Sequence, residues 1–306
     1  MSTVDTMQLT LGHSPDPDDA FMWWPLTGLD GIGPAIDTGR FAFTLETDDI
    51  ESLNRRAEHG ELDITAISIA HWPTVRDTYV LTACGASMGD GYGPKLVART
   101  PMSAGTLASK CRRIAVPGTR TTALATARLL LGNDHDWVVL PFETIGAAIA
   151  SGDVDAGVVI HEGQLTFGQD GLHLVKDLGA WWSAQHDLPL PLGGNVVRRD
   201  LETRGGDGTL VALADVLRRS VEHALANRDK SLAWAQHFGR GIDLDTADAF
   251  VAMYVNNWTL DFGPRGRAAL RVFLEAVHAD GGADPGSIDI ITPQGDTLAS
   301  SMGDGS

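Results

Sequence analysis

The feature that most constrains the fold of this chain is a unit that recurs along it. A short apolar run rich in β-branched residues leads into a polar or glycine-rich loop, and a segment with helical periodicity follows. This alternation predicts an α/β protein built on a mostly parallel sheet. Four of the junctions carry residues suited to chemistry, and their predicted strands span residues 9–11, 63–67, 114–116 and 156–160.

Two segments rich in glycine and proline indicate the domain organisation. The stretches MGDGYGPKLVART (88–100) and LPLPLGGNVVRRD (188–200) run directly into apolar residues, and a chain of 306 residues has room for roughly two domains. We therefore predict two α/β lobes, one inserted in the other, with crossings near residues 93–96 and 192–196. The first lobe would comprise residues 1–94 plus 196–306, and the inserted second lobe residues 95–195.

The charge balance limits the classes of partner. The chain is 43% hydrophobic and 21% charged, which is typical of a soluble globular protein. Its formal net charge of -17 argues against nucleic acid as the main partner, because phosphate binding needs an excess of Lys and Arg. An anionic ligand would therefore need a local device for its binding.

The sequence also predicts the compartment. No run approaches the ~18 apolar residues of a membrane span, so no membrane partner is expected. The first residues, MSTVDTMQLTLG, have neither region of a secretory signal. Cys84 and Cys111 lack metal-ligand spacing and are too few for a disulfide framework, which favours free thiols in a reducing compartment. We expect a cytoplasmic protein that is disordered beyond about Thr297, and the oligomeric state is left open.

An acidic loop follows the first strand. The stretch GHSPDPDDAFM (12–22) carries Asp16, Asp18 and Asp19 at a strand-to-helix turn. Acids at such a turn often cap the helix, and capping alone is one interpretation of Asp18. Ligands of open α/β sheets bind beyond the carboxyl ends of the strands, where all four junction loops would meet. The alternative interpretation is therefore that the acidic loop forms one wall of a cleft.

The other three junctions carry hydroxyl groups and a histidine. Thr121 and Thr122 open a predicted helix and Ser68 opens another, so their hydroxyl and N–H groups could hold a carboxylate without any lysine. The simpler interpretation is that these residues are only N-caps. His161 ends the fourth strand and is either a packed core side chain or a base. His13, His71 and His161 lack the spacing of a local metal motif, so no metal site is predicted.

Several segments, in order over about 260 residues, resemble one protein family. These segments are GHSPDPDDAFM, TAIS, GPKLVART, VPGTRTTA, PFETIGAAIASGDVDAGVVIHEGQLTF, VKDLGAWWSAQHDLPLPLGGNVVRRDL, RRSVEHALA and YVNNWTLDFG. They resemble the menaquinone-biosynthesis family of the futalosine pathway, most closely its branch that forms 1,4-dihydroxy-6-naphthoate. The resemblance implies a two-lobed fold similar to type II periplasmic binding proteins, with the ligand cleft between the lobes.

The resemblance also implies site residues. It makes His161 the catalytic base and places Asp19 opposite it, where Asp19 orients the substrate or the imidazole. The substrate-binding candidates are Ser14, Ala66, Ser68, Thr121, Thr122, Ala123 and Glu162. This chain departs from the family pattern, with Asp16 and Asp18 where Cys and Asn are more frequent, Ala66 where Lys is usual, and Gly163 and Gln164 where Ser and Arg are usual. Each departure makes the site less positive or more negative, which leaves the substrate open.

The implied activity is that of a carbon–carbon lyase. The family reaction converts cyclic dehypoxanthine futalosine to 1,4-dihydroxy-6-naphthoate, and a histidine with an ordinary pKa of about 6.5 suits the base that it needs. The resemblance implies no cofactor and no metal, with a small carboxylate as the partner. Two alternatives stay open: an enzyme like chorismate dehydratase, which shares the fold, and a non-catalytic solute-binding protein for a small carboxylate.

Overall fold

The computed structural model describes residues 6–29, 31–238 and 243–294. The residues beyond Thr297, for which disorder is expected, lie outside these ranges. The described strands are β1 (Met7–His13), β2 (Phe41–Thr47), β3 (Ile64–Ser68), β4 (Tyr79–Thr82), β5 (Ser87–Gly89), β6 (Lys95–Ala98), β7 (Arg113–Val116), β8 (Asp136–Val139), β9 (Ala156–Val159), β10 (His173–Asp177), β11 (Leu190–Arg198) and β12 (Ile290–Ile291).

Helices follow most of these strands. They are α1 (Pro17–Trp23), α2 (Ile50–Glu58), α3 (Trp72–Val75), α4 (Ala104–Lys110), α5 (Thr122–Leu131), α6 (Ile145–Ser151), α7 (Gly163–Thr166), α8 (Leu178–His186), α9 (Leu201–Gly205), α10 (Thr209–Ala226), α11 (Arg228–Ala235), α12 (Leu244–Tyr254), α13 (Asn257–Leu260) and α14 (Gly263–Ala279). Short 3₁₀ helices occupy Trp24–Leu26, Ile69–His71, Phe142–Thr144 and Gln236–Phe238.

The strands form two sheets. The larger sheet has the order β12-β4-β11-β3-β1-β2, with β5 paired to β11, and the smaller sheet has the order β10-β6-β9-β7-β8. The expectation of a mostly parallel sheet is wrong, because five described strand pairings are parallel and five are antiparallel. The antiparallel pairings all involve β6 or β11, the strands that follow the two changes of sheet.

The chain changes sheet twice. It leaves the larger sheet between β5 and β6 and returns between β10 and β11, through α8. Residues 192–196, where the second crossing was expected, lie inside β11, which already pairs with β5 at Leu190. We call the elements up to β5 and from β11 onward lobe I, and those from β6 to α8 lobe II. The residue-level boundaries given above stay a prediction.

Each sheet has apolar side chains on both of its faces. Neighbouring strand residues point to opposite faces, and Val196 and Val197 of β11 accordingly join different clusters of the lobe I core. In lobe II, Leu96 and Val97 of β6 divide in the same way. Because apolar clusters cover both faces of each sheet at these central strands, the polar side chains of the site lie in the loops at the strand ends.

Candidate functional site

A cleft lies where the four junction loops meet. It is lined from lobe I by residues that include Ser14, Asp18, Asp19, Ala66, Ser68, Asn195 and Tyr254, and from lobe II by residues that include Thr121, Thr122, Ala123, His161 and Gln164. The cleft holds about 730 Å³ of space, counting the open solvent at its mouth, which is in the range of small-molecule sites. No Lys or Arg lines it among the described residues.

Asp16 precedes α1 but its side chain does not cap that helix. The carboxylate instead lies 3.0 Å from Nδ1 of His161 and accepts a hydrogen bond from the Ser14 hydroxyl. Pro17 at the first helical position fits this arrangement, because proline needs no N–H partner there. The acid that contacts the imidazole is thus Asp16. The sequence analysis gave Asp19 the role of orienting either the substrate or the imidazole, and its role toward the substrate stays a prediction.

Asp18 and Asp19 both line the cleft and are buried. Burial, with the charges of Asp19 and Asp16, raises the pKa of Asp18 to about 8. Burial also raises the pKa of Asp19, to about 6, although the Ser14 N–H donates to its Oδ2 at 2.7 Å and opposes the rise. The interpretation of these acids as helix caps alone does not account for their position in the cleft.

His161 lies beyond the carboxyl end of β9, separated from its last residue, Val159, by Ile160. Its backbone φ of 53° lies in the left-handed region, which is uncommon for a residue with a side chain. The imidazole packs edge-on against the Phe142 ring at 4.8 Å. Burial lowers the pKa of His161, but the charge and hydrogen bond of Asp16, with the charges of Asp18 and Glu162, outweigh it, so the pKa is raised overall.

Gln164 lies three residues after His161, in α7, and is buried against lobe I. In the amide orientation that satisfies both of its ends, its nitrogen donates to the Gly93 carbonyl at 2.6 Å and to the Tyr254 hydroxyl at 2.8 Å. Its oxygen accepts from the His161 N–H at 3.2 Å. One side chain therefore contacts lobe I, the first crossing and the backbone of His161.

Ser68 ends β3 and its hydroxyl does not cap the 3₁₀ helix that follows. The Asn54 amide donates to Ser68 Oγ at 3.1 Å, and the Ser68 N–H donates back to Asn54 Oδ1 at 2.9 Å. Since the hydroxyl oxygen already accepts a hydrogen bond from Asn54, the hydroxyl can donate its own proton to a ligand. Asn54 is fully buried.

The two threonine hydroxyls are engaged within the protein. Thr121 is the N-cap of α5, where its Oγ1 accepts from the Leu124 N–H and donates to the Gly118 carbonyl. The Thr122 hydroxyl joins the lobes, because it donates to the Leu192 carbonyl at 2.7 Å and accepts from the Ala70 N–H at 3.1 Å. The first N–H groups of a helix have no partner within it, which leaves those of Thr122 and Ala123 for an anion.

The remaining candidates differ in position. Ala66 lines the cleft on β3, and Glu162 is not among the lining residues, although its charge raises the pKa of His161. Beside the cleft, the guanidinium of Arg120 in lobe II pairs with Glu51 at 3.0 Å and Glu58 at 2.6 Å, both on α2 of lobe I. Both ion pairs of this guanidinium thus join lobe II to lobe I.

The sequence analysis did not single out Asn54, Asn195, Phe142 or Tyr254 as site residues. Tyr254 stands in one of the segments that carry the family resemblance, YVNNWTLDFG, which was the available signal. Phe142 and Asn195 also stand in such segments, PFETIGAAIASGDVDAGVVIHEGQLTF and VKDLGAWWSAQHDLPLPLGGNVVRRDL. Asn54 lies on α2, which reaches the site only through the tertiary fold. Gln164 was noted only as a departure from the family pattern.

Metal and membrane features were also sought in the part of the chain that the structure describes. Those residues contain no group of three or more His, Cys, Asp or Glu side chains placed to hold a metal ion. Cys84 and Cys111 are both free and buried. None of the described helices is long and apolar enough to span a membrane.

Comparisons with known proteins give a consistent match. A family model described as menaquinone biosynthesis matches residues 9–279. The chain is 39% identical over 269 residues to a 1,4-dihydroxy-6-naphthoate synthase of Thermus thermophilus, covering 88% of this chain and 93% of that one. It is 36% identical over 285 residues to the enzyme of the same name from Streptomyces coelicolor, covering 91% and 95%.

Solved structures agree on the fold. A protein of Archaeoglobus fulgidus superposes with a TM-score of 0.80 at 37% identity, over 92% of this chain and 99% of that one. A Candida albicans protein with the generic periplasmic binding protein fold gives a TM-score of 0.64 at 11% identity, over 91% and 92%. The expected two-lobed fold of periplasmic binding proteins is thereby confirmed.

Proposed function

This chain belongs to the menaquinone biosynthesis family, and from that premise we propose that it is a 1,4-dihydroxy-6-naphthoate synthase with His161 as its general base. The observation that carries the proposal is its identity of 36–39% with two enzymes of that name over about nine-tenths of the chain. The reaction is a lyase reaction, in which a carbon–carbon bond of cyclic dehypoxanthine futalosine is cleaved as the new ring becomes aromatic.

The contact between His161 and Asp16 selects the reactive nitrogen. Since the carboxylate accepts a hydrogen bond at Nδ1, that nitrogen carries the proton in the neutral imidazole, and Nε2 keeps a lone pair. Nε2 of His161 is therefore the atom that removes a proton from the substrate. Asp16 stabilises the imidazolium that forms, and general base catalysis of this kind contributes typically 10²–10⁴-fold to the rate.

The substrate carboxylate binds where α5 begins. The N–H groups of Thr122 and Ala123 carry partial positive charge at the helix start, and Ser68 supplies a hydroxyl proton from lobe I. This arrangement supports binding of one carboxylate without a lysine or arginine. The Thr122 hydroxyl acts indirectly, because its bonds to Leu192 and Ala70 hold α5 against lobe I.

Asp18 and Asp19 orient the polar end of the substrate. With its pKa raised to about 8, Asp18 is mostly protonated at neutral pH and can donate a hydrogen bond to a substrate oxygen. Asp19, with a pKa raised to about 6, is mostly ionised there and accepts from a substrate hydroxyl. The two carboxyls thus supply one donor and one acceptor in the same wall of the cleft.

The cellular setting is part of the proposal. We place the enzyme in the cytoplasm, with a small carboxylate as its partner. The proposed cleavage requires a base and hydrogen-bonding groups, and it requires neither a redox cofactor nor a metal.

The proposal is tested by incubating the purified protein separately with cyclic dehypoxanthine futalosine and with chorismate. We expect mass spectrometry to detect 1,4-dihydroxy-6-naphthoate from the first and no dehydration product from the second. Dehydration of chorismate alone would favour the sister activity. Tight binding of the naphthoate product without any turnover of either substrate would favour a solute-binding protein.

A further inference from the structure

The left-handed backbone conformation of His161 needs support from neighbouring residues. A residue with a side chain rarely adopts a φ of 53°, and such conformations persist only where the surroundings over-determine them. At His161 the left-handed turn accompanies a contact between the imidazole and Asp16 of lobe I, at 3.0 Å. The N–H of His161 is held by a side chain, the Gln164 amide oxygen, at 3.2 Å.

Gln164 is itself held from the opposite lobe. Its amide nitrogen lies 2.8 Å from the hydroxyl of Tyr254, at the end of α12, and 2.6 Å from the carbonyl of Gly93 in the first crossing. Gln164 and Tyr254 are both buried. Buried hydrogen bonds of this kind define one geometry, because leaving any of these groups unpaired is costly.

His161 is thus bound to lobe I at two points. Its imidazole meets Asp16, and its backbone is connected through Gln164 to Tyr254. Both connections reach from lobe II to lobe I, so the alignment of His161 depends on side chains of lobe I.

We propose that Gln164 and Tyr254 are positioning residues that keep the His161 imidazole aligned with Asp16 across the two lobes. This inference rests on the proposed function and names two residues that position its base. The connection from Tyr254 through Gln164 holds the backbone of His161 in the left-handed turn, and that turn keeps the imidazole in the orientation from which it removes the substrate proton.

The test compares the variant Tyr254→Phe with the matched control Tyr92→Phe. Tyr92 contacts the Tyr254 ring, but its hydroxyl donates to the Met253 carbonyl and does not reach Gln164. Because misplacement of a catalytic group by about 1 Å can cost 10²-fold, we expect kcat of Tyr254→Phe to fall about 10- to 100-fold, with a much smaller change in KM. The control should keep the wild-type kcat.

A second variant protects the test against simple misfolding. Gln164→Met keeps the length of the side chain and removes its hydrogen bonds, so it should lower kcat as Tyr254→Phe does. The double variant should be no slower than the slower single variant, because both changes break one connection. Independent, multiplying losses would overturn the proposal.

A readout without turnover separates this inference from the proposed function. The His161 titration can be followed by NMR, with its resonance identified by its absence in His161→Asn. Asp16, Asp18 and Glu162 raise this pKa among the described groups, so loss of alignment in Tyr254→Phe should move the midpoint down toward the ordinary value. An unchanged midpoint with unchanged kcat would overturn the positioning role. Absence of turnover in the wild type would instead refute the proposed function, and the titration would still decide this inference.

Discussion

Replacing Asp16 by Asn should change how the activity depends on pH. The Asp16 carboxylate is almost completely buried and lies 3.0 Å from His161 Nδ1. Asparagine keeps an oxygen that accepts from Nδ1, so the same imidazole tautomer is preserved while the negative charge is removed. The pKa of His161 should therefore fall, since the charge of Asp16 is a main reason that it is raised.

The size of this shift follows from the geometry. An opposite charge within about 4–6 Å moves a pKa by roughly 1–3 units, each worth about 1.4 kcal/mol. Asp18 and Glu162 remain in the variant and continue to raise the pKa of His161. We therefore expect the pKa of His161 to fall in the variant but to keep the part of its rise that Asp18 and Glu162 cause.

The direction in the assay follows from the proton balance. Only the neutral imidazole accepts a proton, so wild-type turnover is present above the raised pKa of His161 and is lost as the pH falls through it. In Asp16→Asn, kcat should be lost at a lower pH than in the wild type, because the pKa of His161 is lower. The plateau kcat should fall about tenfold, because the imidazolium formed during catalysis is less stabilised.

The measurement is a kcat–pH profile of the wild type and of Asp16→Asn, with Asp19→Asn as the control. Asp19 belongs to the same buried loop but is not hydrogen-bonded to the imidazole, so its variant should shift the acid limb less. An acid limb of Asp16→Asn that coincides with the wild type, or that moves to higher pH, would refute the role assigned to Asp16.

Three further outcomes are expected. Thr122→Val should raise KM more than it lowers kcat, since it removes the bonds to Leu192 and Ala70 that hold the carboxylate-binding helix in place; an unchanged KM measured by steady-state kinetics would contradict this. KM should stay level or fall as salt is added, because screening weakens repulsion of an anion by a net charge of -17, whereas a rise would indicate a cationic site. Asp49→Ala should lower the free energy of unfolding in urea by about 1 kcal/mol, because Asp49 caps α2 through the N–H groups of Glu51 and Ser52; an unchanged midpoint would show that the cap is not needed.

The positions of the four predicted strands could be found from the sequence because they depend on local patterns. The predicted strand at 114–116 lies within β7, and the one at 63–67 overlaps β3 with an offset of one residue. The junction loops could then be predicted as the segments that join the end of each strand to the start of the next helix. The mixed sheets could not be predicted, because β11 pairs antiparallel with β3, β4 and β5. These strands are about a hundred residues away in the sequence, so no local pattern indicates the direction of the pairing.

The candidate site was accessible only in part. His161 could be located at a strand end, but its left-handed backbone could not, because no glycine or asparagine marks the position. The contact of Asp16 with the imidazole joins two lobes that are distant in sequence, so no local pattern could predict it. The Thr122 hydroxyl has its partners on other elements, at Leu192 and Ala70, so no local rule could show that it was already engaged.

The most direct test of the account is turnover of cyclic dehypoxanthine futalosine by His161→Asn beside the wild type, with product affinity measured on both. Asparagine is similar in size and polar, so the fold and the carboxylate contacts at α5 should persist, but no proton acceptor replaces Nε2. We expect kcat to fall at least ~10²-fold while the affinity for 1,4-dihydroxy-6-naphthoate changes little. A His161→Asn variant that keeps near-normal kcat would contradict the assignment of His161 as the base.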